Sequence, residues 1–97
     1  MLTGKQKRYL RGLGSKEEPV LHIGKNGINE NCLVQAEGVL ATRELIKVKV
    51  LKTCAEPVSE VADSLAETLR AEVVQVIGRN FLLYKYSHKD PKIELPE

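Results

Sequence analysis

Tryptophan is absent from this 97-residue chain, which has a single phenylalanine, three tyrosines, two cysteines and two histidines. The small aromatic set gives no recognisable base-stacking pattern, and Tyr9 and Phe81 are expected in the core instead. Cys32 and Cys54 are far apart and lack metal-ligand spacing, so the expectation is two reduced thiols in or near a core, with no metal and no cofactor. His22 and His88 belong to no spaced constellation, and His22 reads more readily as a strand residue than as a base. No apolar run approaches the ~20 residues that cross a membrane, and the N-terminus lacks a signal-type apolar stretch. The expected protein is soluble and cytoplasmic, and makes no membrane contact.

Enzyme motifs are missing as well. A phosphate loop of the Walker type would need glycine at position 19 and Ser or Thr at position 26, where Pro19 and Asn26 stand. The dinucleotide fingerprint lacks its third glycine, and no Gly-x-Ser-x-Gly elbow occurs. Neither catalysis nor a small-molecule substrate is expected.

What the chain does have is Gly24-Lys25-Asn26-Gly27, placed between the strand-like 19–23 and a helical stretch beginning near Ile28. Glycines allow close backbone approach, and free N–H groups at a helix entrance favour an anion. Such a loop clamps backbone nucleotides in KH-type domains, although a Gly-x-x-Gly on its own is commonly only a turn.

Charge is the second signal. The net value is only +2, but Lys5, Lys7, Arg8, Arg11 and Lys16 stand near the N-terminus with no acid among residues 1–16. Acids gather later, at Glu56, Glu60, Asp63, Glu67 and Glu72. One face should be positive and another negative.

Periodicity supplies the elements. Residues 3–13 read as a helix, with a Thr3–Gln6 capping box and Gly14 closing it. Leu2, Gln6, Tyr9, Leu10 and Leu13 share one arc, while Lys5, Lys7, Arg8 and Arg11 occupy the other. That basic arc is either a solvated face or a phosphate-facing one. Residues 19–23 form a short strand, and a helix follows over about 29–41 with Asn29 as N-cap. Its apolar arc is Ile28, Cys32, Leu33, Ala36, Val39 and Leu40, with Val34 out of pattern.

The stretch 44–50 alternates, turning Ile46, Val48 and Val50 inward. Lys47 and Lys49 point outward, as solubilising residues of an edge strand or as RNA contacts. A helix over 57–70 opens at Pro57 and buries Val58, Val61, Ala62, Leu65, Ala66 and Leu69, leaving Glu60, Asp63 and Glu67 outside. Strands 73–77 and 81–85 form a hairpin through Gly78-Arg79-Asn80, with Arg79 a tip cation. The polar tail 87–97 is expected to be loose.

The order α-β-α-β-α-β-β predicts an α/β two-layer sandwich with a four-stranded mixed sheet, two parallel β-α-β pairs and an antiparallel final strand. Helices two and three should cover one face. Whether the first helix shares a surface with the Gly-x-x-Gly loop is left open by the sequence. These residues favour recognition of a nucleic-acid backbone through Gly24, Lys25, Asn26 and Gly27, helped by Lys5, Lys7, Arg8, Arg11 and Arg79.

Three runs carry a resemblance to a known family. Leu21 to Glu30 with Arg43 to Val50, Val76 to Lys85, and the opening Lys7-Arg8-Tyr9-Leu10-Arg11-Gly12-Leu13 together resemble the CRM (chloroplast RNA splicing and ribosome maturation) domain. Ile28-Asn29 stands where Leu-Thr is common, and Lys85 where arginine is common. The likeness spans about residues 2–86, so residues 1–86 are taken as one CRM-like RNA-binding domain. A lone domain of this kind is similar to the bacterial YhbY family. The resemblance implies a fold like the C-terminal domain of translation initiation factor 3. It also implies a monomeric partner of large-subunit rRNA precursors, with the RNA contact on the loop Gly24 to Gly27. The alternative is a module that docks on a ribosomal or other protein.

Overall fold

The computed structural model describes residues 2–87 and 91–96. His88 lies outside the described residues. Helix α1 spans Gly4–Gly14 and opens with the expected capping box: Thr3 Oγ1 accepts from the Gln6 N–H at 3.1 Å, and Gln6 Oε1 accepts from the Thr3 N–H at 3.0 Å. Strand β1 (Leu21–Ile23) leads to α2 (Glu30–Arg43), then β2 (Leu45–Val50), α3 (Val58–Leu69), β3 (Glu72–Ile77) and β4 (Asn80–Tyr84).

The four strands form one mixed sheet in the order β1-β2-β4-β3. β1 and β2 are parallel neighbours, as a β-α-β crossover requires. The second expected parallel pair is not hydrogen-bonded: β4 inserts between β2 and β3 and runs antiparallel to both. The composition of β4 explains its place. Phe81, Leu82, Leu83 and Tyr84 are all buried, a continuous apolar run that only a strand covered on both faces can satisfy.

Helices α2 and α3 cover one face. Between them and the sheet lie Ile23, Ala36, Leu40, Ile46, Val48, Val50, Val61, Leu65, Phe81 and Leu83, with Cys32 and Cys54 at the same core. Of the expected α3 face, Val61, Ala62, Leu65, Ala66 and Leu69 are buried and Val58 is half-buried, while Glu60, Asp63 and Glu67 are exposed. Val34, out of register with the α2 arc, is 65% exposed.

The first helix takes the opposite face. Leu10 is fully buried against Leu45, Val74, Leu82 and Tyr84, so the second face has a smaller core of its own. Gly14 is the last residue of α1 and packs onto Leu82; Ser15 occupies the capping position instead. Tyr9, expected in the core, is exposed. Its arc lies at the margin of the buried stripe, which centres on Leu10.

The C-terminal segment is also corrected. Residues 91–96 are not loose: Ile93 and Leu95 pack on the second core, and Gln6 Nε2 donates to the Pro96 carbonyl at 3.0 Å. The anchor is Glu44, which is fully buried at φ 63° between α2 and β2. Its carboxylate accepts from the N–H groups of Ser87 (2.7 Å), Lys92 (2.5 Å) and Ile93 (2.8 Å). A buried carboxylate needs such donors, and the tail supplies them from the main chain.

Candidate functional site

Gly24-Lys25-Asn26-Gly27 forms a tight turn at the carboxyl end of β1, closed by the Gly27 N–H donating to the Gly24 carbonyl at 2.9 Å. Each glycine has a structural reason. Gly27 has φ 64°, which L side chains adopt only at a cost. A Cβ on Gly24 would lie 3.3 Å from both Leu51 Cδ1 and Thr53 Oγ1, because the chain leaving β2 passes directly beside the turn. The Leu51 N–H, donating to the Ile23 carbonyl at 2.7 Å, fixes that approach.

The geometry revises how an anion would be held. Ile28 and Asn29 separate the turn from the helix, and Asn29 Oδ1 already accepts from the Cys32 N–H at 2.9 Å. The helix entrance is therefore capped by its own side chain. Gly27 spends its N–H within the turn. The donors left are the main-chain N–H groups of Lys25 and Asn26, which make no hydrogen bond among the described residues, and the exposed Lys25 ammonium beside them.

Between the turn and the first turns of α2 runs an open polar groove. Its rim carries His22, Lys25, Asn26, Asn29, Asn31 and Gln35, and no carboxylate lines it. Asn31 and Gln35 stand four residues apart on one side of α2, a spacing that signals a shared face already in the sequence. Cys32 is at its base, where burial pushes the thiol pKa up and a hydrogen bond between the thiol and the Asn29 main chain partly offsets the shift. Glu56 stands close by, with Oε1 3.3 Å from where a Cβ on Gly27 would be, but does not line the groove.

Arg79 reaches the same end of the molecule in a role other than a free tip cation. Gly78 (φ 57°) and Arg79 form a two-residue turn between Ile77 and Asn80. Arg79 Nε donates to the Val50 carbonyl at 2.9 Å, and its terminal NH2 group donates to the Leu51 carbonyl at 2.7 Å. The Val50 N–H in turn donates to the Arg79 carbonyl at 2.7 Å. The guanidinium thus braces the end of β2 that supports the Gly-x-x-Gly turn. Its remaining N–H groups have no partner among the described residues.

The first-helix cations are not gathered at the turn. α1 starts beside β3, where the Leu2 N–H donates to Glu72 Oε2 at 2.9 Å, and β3 is the sheet edge opposite β1. Lys5, Arg8 and Arg11 are exposed and Lys7 half-buried, but on the sheet face away from α2. Lys47 and Lys49 project on that same face. They are not edge residues, because β2 lies between β1 and β4.

The sequence of residues 2–85 matches the CRS1/YhbY (CRM) domain. This chain belongs to the CRM family. The CRM domain here is 46% identical over 96 residues to "Probable RNA-binding protein YqeI" of Bacillus subtilis, a match covering 99% of this chain and all of the relative. It is 38% identical over 95 residues to "RNA-binding protein" of Haemophilus influenzae, covering 98% of this chain and 95% of that one. Among solved structures, the solution structure of the hypothetical protein SAV1595 from Staphylococcus aureus superposes with a TM-score of 0.84 at 50% identity, covering 99% of this chain and 100% of that one. Among the described residues, no cluster of His, Cys, Asp or Glu could hold a metal ion, and no helix is long and apolar enough to cross a membrane.

Proposed function

We propose that this CRM domain binds RNA of large-ribosomal-subunit precursors and assists assembly by holding an RNA conformation, without catalysis. The observation that carries the reading is the groove beside the turn. It offers two unpaired main-chain N–H groups, a lysine and four side-chain amides, with no carboxylate along it. Such a surface can accept a phosphate at the turn and hydrogen-bond the edges of exposed bases beside it. The relatives named as RNA-binding proteins support RNA as the ligand class. The large-subunit assignment rests on the family resemblance, as do the cytoplasmic location and monomeric state that belong to the same reading.

The test is binding to precursor and mature large-subunit rRNA across a salt series, comparing the native chain with Lys25→Asp/Asn26→Asp. Both glycines stay, so the turn is preserved while negative charge enters the anion site. Affinity should fall steeply. For the native chain, log affinity should decrease against log salt by about 0.7 per phosphate neutralised on a single strand. Salt-insensitive binding, or full affinity in the variant, would favour a protein-docking module that uses the exposed acids Glu60, Asp63 and Glu67 of α3.

A further inference from the structure

We propose that the half of the sheet left open by α1 is a second contact surface for the same ligand, taking a single-stranded RNA segment as it leaves the turn. This rests on the RNA reading of the turn. The argument begins with coverage. Helix α1 shields Leu45, Val74, Leu82 and Tyr84, toward the end of the sheet distant from the turn. The next row on that face is His22, Lys49, Asn80 and Ile77, which are direct cross-strand neighbours on β1, β2, β4 and β3. His22 and Lys49 are exposed and Ile77 is 60% exposed, while Asn80 between Lys49 and Ile77 is half-buried with its Oδ1 enclosed.

A central strand is an unusual place for two outward lysines. Charge on an edge strand blocks unwanted strand pairing, but β2 is already paired on both sides. Lys47 and Lys49 lie about 7 Å apart along one face, at ~3.3 Å per residue, a spacing that a flexible strand of phosphates can follow. The row carries two cations' worth of attraction (Lys47 adjoins it) and no acid. His22 belongs both to this row and to the rim of the turn groove, so the two surfaces are continuous. Its exposed imidazole offers a ring on which a base beside the turn can stack.

The far end of the path has a shape suited to an unpaired base. A recess of about 100 Å³ opens where α1 ends, bounded by Gly14, Ser15, Lys47, Gln75, Asn80 and Leu82. It combines an apolar floor with a hydroxyl and two side-chain amides. A base still paired in a duplex could not enter it, because α1 stands at its edge. The occupant is therefore single-stranded.

The experiment uses the full chain with a short single-stranded RNA and the duplex of the same sequence, titrated across salt. Lys47→Gln/Lys49→Gln should weaken single-strand binding and lower its salt slope by about 1.4, the value for two phosphates, while duplex binding is unchanged. Lys49→Gln alone, at an exposed position, should lower the slope by about 0.7 and serves if the double variant loses its fold by circular dichroism. Unchanged single-strand binding in these variants, with binding lost in Lys25→Asp/Asn26→Asp, overturns the proposal and leaves the turn reading standing. Equal losses on single strand and duplex overturn the single-strand assignment. Loss in the lysine variants with native affinity in the turn variant overturns the turn reading and, with it, the path from turn to sheet.

Discussion

Gly12 and Gly14 are two residues apart on α1, yet alanine should have unequal effects at them. An added Cβ on Gly12 meets nothing within 4 Å. Alanine there should gain its helix propensity, about 0.8–1 kcal/mol, slightly less near a helix end. At Gly14 the same Cβ would collide with Leu82 Cδ1 and lie 2.7 Å from Cδ2. Leu82 is 4% exposed beneath α1, so its methyl groups can yield only toward the small recess at the end of the helix, at the cost of contacts with Leu10 and Leu45. Overpacking of this kind costs about 1–3 kcal/mol, which cancels or exceeds the propensity gain. Subtracting one variant from the other removes most of the propensity contribution and leaves the packing cost. Gly14→Ala should therefore be less stable than Gly12→Ala by about 1–3 kcal/mol, or at least ~4 °C in midpoint for a domain of this size. Urea unfolding followed by circular dichroism measures the difference, and an unchanged slope certifies that the unfolded state is unaltered. Equal stability of the two variants would refute the docking of α1 on Leu82. The boundary of the open half-sheet would fall with it.

Other perturbations report on the second core. Glu44→Ala leaves the Ser87, Lys92 and Ile93 amides without the carboxylate they share; stability should drop by about 3 kcal/mol, and hydrogen exchange at Lys92 and Ile93 should accelerate at least tenfold. Protected amides at 92 and 93 in that variant would mean the tail is held by Ile93 and Leu95 alone. Tyr84 titrates above its ordinary value, chiefly through burial, with the charges of Glu44, Tyr86 and Glu72 adding to the effect. Because the folded pKa is raised, the protonated fold keeps its full stability below about pH 10 and loses it as the unfolded phenol ionises above that. Tyr84→Phe should flatten this alkaline loss without lowering stability at neutral pH, since the buried hydroxyl has no hydrogen-bond partner among the described residues. Denaturant midpoints between pH 8 and 11 distinguish the two chains, and parallel alkaline curves would exclude Tyr84 as the source.

Much of the local structure was legible because its determinants are neighbours in the chain. Thr3 and Gln6 cap one another across a single helical turn, and Asn29 caps across the same interval to Cys32. Gly24 to Gly27 closes through a bond between its own ends. The site was legible only as a location. The order of residues pointed to an anion at a helix entrance, whereas Asn29 fills that entrance and leaves the Lys25 and Asn26 amides. Arg79 illustrates the same limit, since nothing in Gly78-Arg79-Asn80 indicates that its guanidinium would find the carbonyls of Val50 and Leu51, 29 and 28 positions earlier.

By itself the sequence determined seven elements in order, two caps, the turn, and the separation of an N-terminal basic stretch from an acidic third helix. Each follows from residue type and from spacings of two to four residues, where side chains meet their neighbours whatever the rest of the chain does. Only the tertiary structure decided that β4 enters between β2 and β3, that α1 crosses to the opposite face, and that Glu44 binds residues 43 to 49 positions away. Those outcomes depend on which apolar faces exclude water together. Leu45, Leu82 and Tyr84 needed a cover that α1 and the tail provide, and the part of the sheet they leave uncovered is where Lys47 and Lys49 meet solvent.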